Sequence, residues 1–105
     1  MHIHNVFFSL KDNSDIQKQN LIRDCYQYLS GLPGIVSFHC GLPAQTCNRP
    51  VNDRDFDVAL HVIFEDVADH DAYQSSHQHD EFVGRNRKNW ENSRVFDTTS
   101  VQSDT

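Results

Sequence analysis

Two residues have the types and spacing for proton transfer beside a carbonyl group. Tyr73 and His79 lie six positions apart across a break at Ser75 and Ser76, so both can face one cavity. A neutral imidazole accepts a proton near pH 6.5, and a phenol can donate a hydrogen bond to a carbonyl that is becoming an enolate. Aldol-type ring closure needs that pair. Phe8, Leu21, Ile22, Cys25, Tyr26, Phe38, Val58, Leu60, Phe82 and Trp90 are the expected apolar walls, and His4 is a further polar group at a strand end. An apolar pocket with few polar groups suits a small hydrophobic ligand. The same residues also suit packing and capping, because a His and a Tyr at a helix start and an apolar helical stripe are ordinary core features.

The other reactive side chains read more blandly. His2 and His4 alternate on one strand but lack a carboxylate or thiolate partner at fixed spacing, so no metal site is expected. His77 and His79, two apart on a helix, point to different faces. His39 and His61 are expected as buried neutral residues on an interface, and Cys25 as an inert core thiol. No Gly-rich phosphate loop, carboxylate pair or nucleophile elbow is present, so no cofactor is expected.

Those residues are carried by alternating and helical segments. Residues 2 to 10 alternate as a strand, with His4, Val6, Phe8 and Leu10 on one face and Ile3, Asn5, Phe7 and Ser9 on the other. Ser14 and Gln17 have capping-box spacing, and Leu21, Ile22, Cys25, Tyr26 and Leu29 form the stripe of the helix that follows. Gly31 is the expected C-cap, with a turn at Leu32-Pro33-Gly34. A second strand over 35 to 41 sets Val36 and Phe38 against Ile35, Ser37 and His39. Residues 42 to 55 read as a loop, and FDVALHVIF as a strand with Phe56, Val58, Leu60, Val62 and Phe64 on one face. A short helix over 66 to 74, a second from about His77 to Asn92, and a last strand from Arg94 to Ser100 complete the chain. The order β-α-β-β-α-β is that of an α+β, ferredoxin-like fold. Its uncovered sheet face would carry Ile3, Phe7, Ile35, Ala59 and Ile63, so a second copy is the expected cover.

Composition is compatible with one small domain over residues 1 to 100 and a polar tail over 101 to 105. The 105 residues are 37% hydrophobic, with mean hydropathy -0.65, which leaves a thin core and favours self-association. A net charge of -6 argues against nucleic acid as a partner. The basic cluster Arg85, Arg87 and Lys88 reads as a solvated helix side. No membrane span or signal peptide is expected. Three cysteines without CxxC spacing point to the reducing cytoplasm.

In this order, several features resemble the stress-responsive A/B barrel (Dabb) family of dimeric α+β barrels, over about residues 2 to 99. They are the opening strand with His4, Leu32-Pro33-Gly34, Val62-Ile63-Phe64-Glu65, the stretch from Ala72 to Val83, and Val95-Phe96-Asp97. The family pattern Y-x-x-H-P-x-H-x-x-F is kept at Tyr73, His79 and Phe82 and altered at Ser76 and His77, where His and Pro are usual. The resemblance implies a homodimer with a cavity between helices and sheet. It also implies, by likeness to a plant polyketide cyclase of the family, catalytic roles for Tyr73 and His79. The expected function is a homodimer with a small apolar, ligand-binding pocket in each subunit. The alternatives are a cyclase-like or other cofactor-free enzyme, similar antibiotic-biosynthesis monooxygenases included, and a non-catalytic stress or assembly protein.

Overall fold

The computed structural model describes residues 1–103. Strand β1 (His2–Leu10) is central, as its two apolar faces require. Its burial alternates residue by residue, with His2, His4, Val6, Phe8 and Leu10 buried. It pairs antiparallel with β3 (Val58–Phe64), Val6 opposite Leu60, and with β4 (Trp90–Thr99), His4 opposite Asp97. Adding β2 (Ile35–Gly41) beyond β3 gives the sheet order β2-β3-β1-β4. Helices α1 (Asp15–Leu29), α2 (Val67–Gln74) and α3 (His77–Asn86) complete a β-α-β-β-α-α-β order. The architecture is the expected α+β, ferredoxin-like one. Among the described residues no helix is long and apolar enough to cross a membrane. The expected tail at 101 to 105 is irregular as far as Ser103, and Asp104 and Thr105 lie outside the described residues.

Local chemistry revises several boundaries. Ser14 precedes α1, but its side chain makes no cap bond; instead the Asp12 carboxylate accepts the Ser14 N–H, so the expected capping box is not formed. Gly31 does not take the left-handed conformation. That role falls to Gly34, at φ +83°, where a Cβ would come within 2.2 Å of the Asp69 side chain. A bulge between Ile35 and Ser37 turns Ile35 onto the helix side opposite Phe64, so Ile35 joins the core and leaves the open face. Phe56 precedes β3 and stacks edge-on against Phe7 on the open side, 5.1 Å between centroids, rather than sharing the face of Val58. The second long helix ends at Asn86, and a 3-10 turn (Arg87–Asn89) leads into β4. Trp90 is therefore a strand residue, paired with Leu10.

The core lies between the sheet and α1, where Cys25, Leu29, Val58, Val62 and Phe64 are fully buried. Asp24, which the helical stripe leaves on the polar side, is buried as well. It accepts bonds from Arg85 Nε at 3.0 Å and Asn86 Nδ2 at 3.1 Å, which tie α1 to α3. A buried carboxylate without such partners would cost several kcal/mol.

Candidate functional site

A cavity of about 430 Å³ opens between α2, α3 and the β1 and β4 half of the sheet. The joint between the two helices sets its chemistry. The Ser76 hydroxyl donates to the Tyr73 carbonyl at 2.8 Å, closing α2, and accepts the His79 N–H at 3.1 Å, capping α3. One side chain thus fixes the relation of the two residues singled out above, whose rings stand 5.2 Å apart at 63°.

Tyr73, His79, His4, Phe8, Leu60, Phe82 and Trp90 line the cavity, as does Leu29 at the end of α1. Ile22, Tyr26, Phe38 and Val58 do not. Helix α1 lies over β2 and β3, whereas the cavity lies over β1 and β4. Val58 is fully enclosed in the core. Tyr26 and Phe38 stack on each other at 5.3 Å, and the Tyr26 hydroxyl accepts the Cys40 N–H at 3.2 Å. Ile22 packs against the same core.

Four polar lining residues are additional: His70, Gln74, Ser93 and Asp97. The His4 Nδ1–H donates to Asp97 Oδ1 at 2.7 Å, because a carboxylate can only accept. His4 Nε2 therefore presents its lone pair, and the Gln74 amide nitrogen lies 3.4 Å from it. His2 Nε2 also donates to Asp97 Oδ1, at 3.0 Å, and His70 Nε2 lies 3.6 Å from the same oxygen. His70 stands three residues before Tyr73, on its helical face, and that spacing is its one signal in the sequence. Asp97 has no such signal, since only the register of β4 brings it opposite His4.

The electrostatics suit neutral acid and base groups. Burial holds His4 below the ordinary imidazole pKa, against the opposing pull of Asp97. Burial also lowers His79, aided by His4 and His70 and opposed by Asp80. Burial pushes the Tyr73 phenol up, and it is a protonated donor at neutral pH. Burial raises Asp97, but its bonds from His4 and His2 more than offset this and leave the carboxyl below its usual range. Among the described residues the Tyr73 hydroxyl and Trp90 Nε1 are buried without a hydrogen-bond partner. Such atoms cost about 1–3 kcal/mol each, so a polar ligand group is favoured there.

Solved structures with this architecture include a protein of Arabidopsis thaliana, at 17% identity and TM-score 0.81 over 100% of both chains. A dimeric ferredoxin-like protein of unknown function from Thermobifida fusca is 13% identical, at TM-score 0.76 over 94% of this chain and 90% of the other. The hydroxynitrile lyase of Passiflora edulis is 23% identical, at TM-score 0.76 over 97% and 94%. No curated protein matches the sequence. The family model of the stress responsive A/B barrel domain matches residues 3–100, and the chain belongs to that family.

Proposed function

We propose that the protein is a homodimer in which each subunit binds one small, largely apolar molecule carrying a carbonyl or similar acceptor group. The buried, unpartnered hydroxyl of Tyr73, a residue that lines the cavity, carries this reading. Phe8, Phe82, Trp90 and Val83 supply the apolar wall, and Tyr73 donates to the ligand's oxygen. The dimer reading draws on the apolar open face and on the dimeric relative from Thermobifida fusca. The three free cysteines fit a cytoplasmic location.

A second reading adds catalysis. His79 has a lowered pKa and, among the described residues, no side-chain hydrogen bond, and it stands beside the Tyr73 ring. As a base it would take a proton next to a carbonyl that Tyr73 polarises, with His4 held by Asp97 as a neighbouring acceptor. The fold already carries an enzyme in the hydroxynitrile lyase.

Binding of hydrophobic phenols and β-diketones, read by quenching of the single tryptophan and by a higher melting temperature, tests the first reading. Tyr73→Phe should weaken the binding of β-diketones about two- to tenfold, the worth of one neutral hydrogen bond. Unchanged fluorescence and melting temperature across the series would overturn it, as would equal affinity in Tyr73→Phe.

A further inference from the structure

Three imidazoles converge on one carboxylate oxygen beside the cavity. Asp97 Oδ1 lies 3.0 Å from His2 Nε2, 3.6 Å from His70 Nε2 and 2.7 Å from His4 Nδ1. His2, His70 and Asp97 offer donor atoms that all lie within 4.8 Å of one another. His2 and Asp97 come from the sheet and His70 from α2, so the fold itself gathers them.

The protons make this arrangement informative. His70 Nδ1 lies 3.2 Å from the Asp71 carboxylate, which can only accept, so Nδ1 carries the hydrogen. On a neutral ring Nε2 is then a lone pair, which takes a long contact of 3.5 Å from the Gln74 amide nitrogen and also faces the lone pairs of Asp97 Oδ1 at 3.6 Å. Two acceptors face each other there. A cation between them turns that contact attractive, and a carboxylate behind the distal nitrogen is the usual support of a metal-bound histidine.

The two separations from the carboxylate fit as well. A tetrahedral ion with bonds of about 2.0–2.1 Å holds neighbouring donors about 3.3–3.4 Å apart. The two separations from Asp97 Oδ1, 3.0 and 3.6 Å, bracket that value. Two histidines and one carboxylate are a donor set for divalent first-row transition metals.

We propose that His2, His70 and Asp97 form a binding site for a divalent transition-metal ion such as zinc, with its open coordination position on the cavity side. His70 and Asp97 line the cavity, which sets that direction. The His4 Nδ1–H, donating to Asp97 Oδ1, orients the carboxylate ligand. On binding, the proton on His2 Nε2 gives way to the metal and the ring carries its hydrogen on Nδ1. That nitrogen is buried without a partner, so His2 is the weaker ligand and affinity falls below that of a fully supported site. The site does not depend on which organic ligand the cavity takes.

The test uses untagged, chelator-treated protein titrated with Zn2+ by calorimetry and with Co2+ by visible absorption. The expected result is one ion per chain, Co2+ bands of tetrahedral intensity, and a rise in melting temperature that a chelator reverses. His70→Ala and His2→Phe should each weaken Zn2+ binding at least tenfold, while His77→Ala, at an exposed helical position, should not. Asp71→Asn, at a surface position that leaves the fold intact, should weaken it severalfold by releasing His70. Wild-type affinity in His70→Ala and Asp71→Asn would overturn the site. So would the absence of any heat or melting shift with Zn2+.

Discussion

His79 shows how one buried side chain links the site to solution conditions. Burial lowers its pKa, so the folded protein holds it neutral where the unfolded chain would already take a proton. The unfolded state then binds more protons below about pH 6.5, and stability falls with pH from there until the folded residue also titrates. His4 and His70 add to this resistance and Asp80 opposes it. The melting temperature should decline from about pH 7 to about pH 5, and His79→Gln should flatten part of that decline. Parallel curves for the two proteins would remove His79 as a contributor. At this scale the sequence was informative where spacing alone brings residues together. Tyr73 and His79 sit on adjoining helix ends and meet in one cavity, as their spacing implied. Asp97 reaches His4 through the pairing of strands at opposite ends of the chain, and nothing local to either residue encodes that register. For the same reason the carboxylate beside His2 has no signal in the sequence spacing. It lies 95 residues away.

The element that matters most for the site is the joint between α2 and α3. A proline is usual in the family one residue after Ser76, where this chain has His77, and the break is held instead by the two bonds of the Ser76 hydroxyl. Ser76→Ala should therefore cost about 1 kcal/mol of stability through loss of the cap. Ser76→Asp should recover most of the cap without the donor to the Tyr73 carbonyl. If both variants melt at the wild-type temperature, the joint is held by packing rather than by this residue. The positions of the elements were legible because alternation and helical spacing are strong signals. Their ends were less so. The helix expected to reach Asn92 stops at Asn86, because Trp90 pairs with Leu10 and the Lys11 N–H bonds to the Asn89 carbonyl. Such ends are set by tertiary pairing, which outweighs local propensity. The same holds for Phe38 and Tyr26. Their apolar character was clear, but which half of the sheet α1 covers decides that they pack on each other and not on a ligand.

For the whole molecule, the open face of the sheet poses the remaining physical problem. Phe7 contacts Phe56 at 5.1 Å and Phe96 at 5.9 Å, and Phe96 is half-exposed in the isolated chain. Ile3 and Ile63 face each other across β1 and β3 on the same side. The segment before β3 lies against this face at one end, where Arg94 of β4 binds the Asp53 carboxylate and the Asp55 carbonyl, but it leaves the isoleucine end open. An apolar surface of this kind favours a second copy, and in a two-fold pair every substitution acts twice. Ile63→Asp places a charge on that face at each site, at a cost of several kcal/mol if it is buried unpaired. Ile63 is only partly buried in the single chain, so the fold itself should survive. Sedimentation at micromolar concentration should then give a dimer for the wild type and a monomer with an unchanged circular dichroism spectrum for Ile63→Asp. A wild-type monomer under those conditions, or a dimer unaffected by the substitution, would show that this face is not the contact.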